Sequence, residues 1–104
     1  MYVQIIQYEF TGDVESFKRD AEQLAPAIAD LDGFVAKLWL GASGPEFGGV
    51  YLWRDRATAD AYRHGDLFTA ALVESPDVDG LTVTGHELWT APTRLTSGGL
   101  TVAA

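Results

Sequence analysis

The sequence predicts an α+β fold in which two β-α-β units follow one another. Two observations carry this prediction: four stretches alternate as strands do, and the stretches between them carry apolar residues at helical spacing. The chain has 104 residues, which is enough for one domain with its own core. We expect that domain over residues 1–92 and a flexible or partner-contacting tail over residues 93–104.

The first strand and the first helix are well marked. Residues 2–10 alternate between two faces, and the turn that follows supplies Asp13 as an N-cap. Apolar side chains then recur at helical spacing over residues 14–31, with Pro26 placed to kink the helix. Gly33 is expected to end the helix, because glycine adopts the left-handed C-cap conformation without strain.

The second strand is predicted over residues 34–40. Alternation assigns its side chains to two faces: Val35, Lys37 and Trp39 on one, and Phe34, Ala36, Leu38 and Leu40 on the other. A loop over residues 41–46 follows, and the third strand begins at the glycine pair Gly48-Gly49.

The second helix is predicted to be broken. Asp55 can cap a short helix that runs to about His64, and Gly65-Asp66 interrupts it and caps a second helical piece. The fourth strand is predicted over residues 81–89. The resulting order is the ferredoxin-like plan, a four-stranded antiparallel sheet with the helices on one face.

The third strand is apolar on both faces. Tyr51 and Trp53 alternate with Val50 and Leu52, so neither face of this strand suits contact with water. The helices cover one face, and a soluble monomer rarely leaves the other face bare. We therefore expect a homodimer in which two sheets pack face to face as a dimeric α/β barrel.

Composition excludes several classes of partner. Seven Lys and Arg residues stand against 15 Asp and Glu residues, and the net charge of −8 disfavours nucleic acid and anionic membrane surfaces. There is no cysteine, which excludes disulfides and thiolate chemistry. The N-terminal residues lack the pattern of a signal peptide, and no apolar run is long enough to span a membrane. A soluble, cytoplasmic protein is expected.

The chain resembles the YdhR-like monooxygenases, a group within the dimeric α/β-barrel superfamily that includes the antibiotic-biosynthesis monooxygenases. The resemblance covers roughly residues 2 to 95. It rests on Asp32-Gly33-Phe34 with Lys37 and Trp39, on Gly48-Gly49-Val50-Tyr51-Leu52-Trp53, and on Ala61-Tyr62. The superfamily includes cofactor-free oxygenases, haem-degrading enzymes, isomerases and dehydratases, so the resemblance implies a fold more narrowly than an activity.

The cofactor-free oxygenases that the chain is similar to bind a polycyclic phenol between the sheet and the helices. The resemblance matches their strand Trp to Trp53 and their helix Tyr to Tyr62. Their Asn falls on Gly49, and their His falls at about Leu40. The aromatic walls of the pocket therefore carry over to this chain, and these two polar groups do not.

Aromatic residues predict a pocket for a small, flat aromatic molecule. The candidate catalytic residues are Tyr62 and His64, since a histidine that faces the pocket could take a phenolic proton near neutral pH. Lys37 is expected to reach the pocket rim or to pair with a carboxylate such as Glu87. The alternative is that these aromatic side chains belong to the core or the dimer interface. The candidate pocket residues are Tyr8, Trp39, Tyr51, Trp53 and Phe68.

Metal and cofactor signals are weak. The two histidines, His64 and His86, lie on different predicted elements and lack metal-ligand spacing, so we predict no metal site. His86 is expected to be structural. No glycine-rich loop joins a strand to a helix in the dinucleotide-binding pattern, and no serine lies in a nucleophile elbow. We expect no cofactor.

Three functions remain. The first is a cofactor-independent monooxygenase acting on an aromatic or polyketide-like molecule, whose own anion reduces dioxygen while the protein removes the proton and excludes water. The second is an isomerase, cyclase or lyase that uses proton transfer in the same pocket. The third is a dimer that binds a small ligand without catalysis.

Overall fold

The sheet has four antiparallel strands in the order β2-β3-β1-β4. The computed structural model describes residues 1–41 and 44–98. The predicted ferredoxin-like α+β fold is confirmed, with helices packed on one face of the sheet. The elements are β1 (Tyr2–Phe10), α1 (Val14–Ala29), β2 (Phe34–Leu40), β3 (Glu46–Trp53), α2 (Arg56–Arg63), α3 (Asp66–Phe68), a π-helical turn (Thr69–Val73), β4 (Val78–Glu87) and α4 (Thr90–Thr96).

Short polar side chains begin the two longest helices, as predicted. The carboxylate of Asp13 accepts a hydrogen bond from the backbone N–H of Glu15 at 3.2 Å, and that of Asp55 accepts one from Thr58 at 2.9 Å. Helix α1 ends at Ala29, earlier than predicted, and Gly33 follows in the chain with φ of +76°. That left-handed conformation suits the turn into β2.

The predicted break in the second helix is confirmed. The N–H of Gly65 donates to the carbonyl of Tyr62 at 3.1 Å, and the chain then re-enters a helix as α3. The π-helical turn over 69–73 extends α3 and is closed by a bond from the N–H of Glu74 to the carbonyl of Thr69 at 2.9 Å. This broken segment crosses the sheet beside the first helix.

The core lies between the sheet and the helices. Gln4 is buried there and connects three elements: its amide oxygen accepts from Trp53 Nε1 at 3.0 Å, and its Nε2 donates to the carbonyl of Ala59 at 3.2 Å. Both polar ends of the glutamine are thus satisfied, which offsets the cost of burying it. The buried cluster consists of Ile6, Ile28, Tyr51, Trp53, Ala59, Tyr62, Phe68 and Leu72.

The face predicted for Phe34 is wrong. A β-bulge shifts the register between Phe34 and Ala36, so Phe34 pairs with Trp53 and its ring packs edge-on against the indole at 5.8 Å. The extra residue, Val35, is exposed. Strict alternation resumes beyond the bulge, where Lys37 pairs with Tyr51 and shares its helix-facing side.

The outer face of the sheet carries apolar side chains that no helix of the described chain covers. Leu38 is 41% exposed and Leu40 is 40% exposed. Val50 and Leu52, which pair with Leu38 and Ala36, are half-buried on the same face. These side chains form one apolar surface on the side of the sheet away from the helices.

The C-terminal part differs from the sequence prediction. Strand β4 begins at Val78 and ends at Glu87, earlier at both ends than predicted. Helix α4 overlaps the start of the tail expected over residues 93–104, and its flanking Trp89 is 78% exposed. The predicted tail beyond Gly98 lies outside the described residues. Within the described residues, every helix is too short or too polar to span a membrane.

Candidate functional site

A cavity of about 580 Å³ lies between the sheet and the helices. Strands β1, β2 and β3 form its floor, α1 forms one side, and α2 with the π-helical turn forms the other. Most of its wall is aromatic or aliphatic, which suits a flat apolar ligand. The side chains that line it include Ile6, Tyr8, Phe10, Phe17, Leu24, Lys37, Trp39, Tyr51, Tyr62 and Leu72.

Two tyrosine hydroxyls meet in the wall of this cavity. Tyr51 on β3 and Tyr62 on α2 place their hydroxyl oxygens 2.9 Å apart, with ring centroids 5.1 Å apart. One hydroxyl donates to the other, so the accepting hydroxyl keeps a hydrogen that it can donate to a ligand. Phe68 and Trp53 pack against the Tyr62 ring at 5.6 Å and 5.3 Å and fix its position.

These tyrosines are held in the neutral form. Burial raises the pKa of Tyr51, and the neighbouring Tyr62 raises it further. Burial also raises the pKa of Tyr62, against a smaller opposing effect from the hydrogen bond with Tyr51. Burial, followed by the nearby Tyr62, raises the pKa of Tyr8 to about 12. The raised pKa values favour the neutral hydroxyl, which can donate a hydrogen bond, over the tyrosinate near neutral pH.

Lys37 lies on the cavity floor between two aromatic rings. Its Nζ is 3.2 Å from the ring centroid of Trp39 and 4.4 Å from that of Tyr51. The stem of the lysine crosses Gly49, where an added Cβ would lie only 2.7 Å from Lys37 Cε. Glycine at position 49 thus leaves the space that the lysine occupies.

Burial lowers the pKa of Lys37 to about 7. The difference between the folded pKa and the ordinary value of 10.5 corresponds to a free-energy cost of the charged form on the order of 5 kcal/mol. The two ring faces favour the charged form, and such contacts contribute about 0.5–2 kcal/mol. Burial is the larger effect, so the amine remains far easier to deprotonate than a surface lysine.

The predicted partner for Lys37 is wrong. Glu87 lies on β4, at one edge of the sheet, where it pairs with Tyr2 of β1. Lys37 lies on β2, at the opposite edge. Among the described residues, no carboxylate lies within 4.0 Å of the lysine amine. The amine of this half-buried lysine therefore lies against two rings without a carboxylate in salt-bridge range.

A second, smaller cavity of about 390 Å³ adjoins the first. Tyr8, Phe17 and Trp39 line both cavities, and Leu40 with Phe47 extends the wall of the second. The shared side chains place the two spaces next to each other.

A family model supplies the identification. The model described as "Putative mono-oxygenase ydhR" matches residues 3–99, nearly the whole chain. The chain belongs to the YdhR family. The resemblance noted in the sequence is confirmed at this level, and no curated protein matches the sequence significantly.

Solved structures show which proteins share the fold of this YdhR-family chain. A "putative antibiotic biosynthesis monooxygenase" from Deinococcus radiodurans aligns with a TM-score of 0.71 at 18% identity, over 88% of this chain and 95% of the other. SnoaB, a cofactor-independent oxygenase from Streptomyces nogalater, aligns with a TM-score of 0.67 at 14% identity, over 88% and 96%. The haem degrader MhuD from Mycobacterium tuberculosis aligns with a TM-score of 0.64 at 19% identity, over 86% and 96%. At such identities the likeness establishes the fold alone.

The structure brings together part of the predicted site of this YdhR-family chain. The side chains of Tyr8, Trp39, Tyr51 and Tyr62 line the cavity. Trp53 and Phe68, each 0% exposed, lie in the core behind it, where they support Tyr62. The pocket and catalytic roles assigned to these residues stay predictions.

His64 lies outside the main cavity. It is the C-cap of α2 and lines a separate groove of about 280 Å³ with Arg63, Gln4 and Thr84. His86, on β4, pairs with Val3 and is exposed. Among the described residues, no cluster of three or more histidine or carboxylate side chains could hold a metal ion.

Lys37 was not among the residues predicted to be catalytic. An isolated lysine between apolar strand residues was the available signal, and the crossing of its side chain over Gly49 of the next strand was not foreseeable without the register. The structure shows both features at one place in the sheet.

Proposed function

We propose that this chain is a cofactor-independent monooxygenase acting on a flat aromatic or polyketide-like molecule. The observation that carries the proposal is the cavity of about 580 Å³, whose wall of aromatic side chains includes the Tyr51–Tyr62 hydroxyl pair and Lys37. Membership of the YdhR family supports an oxygenase activity, and the fold shared with SnoaB supports one that needs no cofactor.

The polar groups can orient a substrate that carries an oxygen atom. The Tyr51–Tyr62 pair offers a hydroxyl hydrogen to a carbonyl or phenolate oxygen, and the walls hold the ring system flat. Loss of a proton from an anthrone-type substrate gives a carbanion that is able to reduce dioxygen. One oxygen atom enters the substrate as a carbonyl, the other leaves as water, and the substrate methylene supplies the electrons. The protein contributes orientation, proton removal and a dry site.

Haem degradation is the competing reading suggested by the likeness to MhuD. A haem iron bound through an imidazole would need a histidine in the cavity. Both histidines of this chain lie elsewhere, His64 in the separate groove and His86 on the outer side of the sheet. A small organic substrate fits these walls better than a haem held by histidine.

One observation favours a second candidate, an isomerase or lyase that works by proton transfer. The position where the resemblance leads us to expect an asparagine is Gly49, and the stem of Lys37 fills that space. A basic amine without the amide suits a reaction that only moves protons. Turnover under anaerobic conditions would favour this candidate over the oxygenase.

We further propose that the chain works as a homodimer. Leu38, Leu40, Val50 and Leu52 form a contiguous apolar patch, whereas a soluble monomer usually exposes such residues singly. The patch lies on the side of the sheet away from the helices. A second copy related by a two-fold axis would cover it with the same face.

Oxygen consumption tests the oxygenase. The purified protein is mixed with a panel of anthrones and hydroquinones, and uptake is compared with the protein-free rate and with Tyr62→Phe. We expect faster uptake with the wild-type protein and a reduced rate for Tyr62→Phe, because substrate orientation is impaired. Uptake equal to the protein-free rate with every member of the panel would refute the oxygenase. His64→Ala in the same assay tests the predicted role of His64.

A further inference from the structure

Lys37 is the only cation among the side chains that line the main cavity in the described residues, and its environment is asymmetric. The rings of Trp39 and Tyr51 contact the amine, and all three side chains line the cavity. Gly49 lets the stem lie close to the backbone of β3, which fixes the direction in which the amine extends.

The charged groups around the cavity are placed away from this amine. Carboxylates reach the cavity from the N-cap of α1, from the second turn of that helix and from the segment after the π-helical turn. None of them pairs with Lys37 within 4.0 Å. The neutral tyrosines on β1, β3 and α2 supply no negative charge either. The titratable groups that face the cavity are Tyr8, Asp13, Asp20, Tyr51, Tyr62, Glu74 and Asp77.

A buried amine in this setting binds an anion favourably. The protonated form is destabilised by burial and has no counter-charge, so a ligand that brings a negative charge removes the penalty. Near neutral pH a large fraction of the amine is neutral, and it is then able to accept a proton. The same group can take a proton from a ligand and afterwards hold the anion it has formed.

We propose that Lys37 is the proton-accepting and anion-binding group of the cavity, and that the ligand is an acidic aromatic molecule, a phenol or an enol. In this step the ligand O–H bond breaks, its electron pair stays on the oxygen, and a new N–H bond forms on Lys37. No oxidation accompanies the transfer. The ammonium ion pairs with the oxyanion, and a tyrosine hydroxyl of the Tyr51–Tyr62 pair donates to it. This deepens the proposed function, which supplies the later reaction with dioxygen, but the binding step stands without turnover.

The acidity of the ligand follows from the charges. A simple phenol has a pKa of about 10, well above that of Lys37, so transfer from it is uphill before the ions attract each other. A phenol or enol that ionises near neutral pH is matched to the amine. Extended conjugation or a neighbouring carbonyl group provides that acidity, and both are compatible with the flat, apolar walls.

The test uses para-nitrophenol, which ionises near neutral pH and changes colour when it does. Its methyl ether, para-nitroanisole, has a similar shape and no acidic proton. The pKa of the bound nitrophenol is measured by absorbance titration with the wild-type protein, Lys37→Met, Lys37→Arg and Lys18→Met. Lys18 is the other lysine of the chain; it pairs with Glu15 on α1 and lines the second cavity but not the main one. It is the matched control.

We expect the wild-type protein and Lys18→Met to lower the pKa of the bound nitrophenol by about one unit, a tenfold preference for the anion. Lys37→Met should raise that pKa, because an apolar pocket disfavours the charged ligand. Lys37→Arg should hold the anion but take up no proton when the ligand binds at about pH 8, since arginine is always protonated. The wild-type protein should take up a proton there. Binding of para-nitroanisole should be similar in all four proteins and shows that each variant is folded.

Two results would overturn the proposal. One is an equal pKa of the bound nitrophenol in the wild-type protein and Lys37→Met. The other is no saturable binding of nitrophenol by the wild-type protein. Failure of the proposed function looks different: anion binding at Lys37 with no oxygen uptake from anthrones keeps the role of Lys37 and removes the oxygenase. Anthrone oxidation at the same rate in the wild type and in Lys37→Met would keep the oxygenase and remove the role of Lys37.

Discussion

Replacing Lys37 by methionine should change how the stability of the protein depends on pH. Methionine has a similar length and no charge, so it fills the space beside Gly49 without the cost of a buried ammonium ion. Burial lowers the pKa of Lys37 from 10.5 in the unfolded chain to about 7 in the folded chain. Between these values the unfolded chain holds a proton that the folded chain has released.

The sign of the effect follows from this difference in bound protons. Where the unfolded state binds more protons, stability rises with pH, so the wild-type protein gains stability between about pH 7 and 10.5. Below pH 7 both states are protonated and the wild-type protein bears the full cost of the buried charge. We expect Lys37→Met to be more stable than the wild type at about pH 6 by about 2–5 kcal/mol, with the difference shrinking as the pH rises. The lower end of this range allows for the stabilising ring contacts.

Urea unfolding followed by circular dichroism at a series of pH values measures the difference. Protein concentration is held fixed, because association would otherwise shift the midpoint. Lys18→Met serves as the control and should parallel the wild type, since that amine is exposed. Burial raises the pKa of Tyr8, Tyr51 and Tyr62, so these hydroxyls stay neutral in the folded protein over this pH range. A difference between these two proteins that stays constant from about pH 6 to 9.5, or a variant less stable at every pH, would refute the reasoning.

Three further predictions concern other parts of the molecule. Gly49→Ala places a Cβ 2.7 Å from Lys37 Cε and should displace the lysine, so proton uptake on nitrophenol binding should fall while circular dichroism stays native; unchanged uptake would contradict the close packing. Gln4→Leu leaves Trp53 Nε1 and a backbone carbonyl without partners and should cost about 2–4 kcal/mol in urea unfolding, whereas a loss below 1 kcal/mol would show that water replaces the amide. Leu38→Asp puts a charge on the outer sheet face and should give a monomer by sedimentation at micromolar concentration; a wild-type protein that is itself monomeric would remove the dimer proposal.

The sheet was predictable because its signals are local. Alternation places Tyr51 and Trp53 on the same face whatever the partner strand is. Asp55 is an N-cap residue directly before the helix, so the helix start is predictable from the adjacent sequence. Phe34 was assigned to the wrong face because a bulge depends on pairing between strands. Alternation along a single strand contains no information about that pairing.

The candidate site was predictable in its walls and not in its chemistry. The sequence predicts a helix that packs on the sheet and carries Tyr62, and Tyr62 does line the cavity. His64 follows it by two positions in the chain, yet the end of α2 directs it into another groove. Burial lowers the pKa of Lys37, and its surroundings include Tyr51 of the neighbouring strand as well as Trp39 of its own, so the lone lysine in an apolar strand did not reveal the shift.

The π-helical turn over 69–73 has a consequence for the range of ligands that this architecture can accept. It brings Ala70, Ala71 and Leu72 to one end of the cavity, and it is joined to the sheet through side-chain packing rather than strand hydrogen bonds. Insertion or deletion of a residue in this segment would lengthen or shorten the cavity, while the strand pairing of the sheet stayed in register. Substrate size and the lysine chemistry on the floor are therefore free to diverge independently.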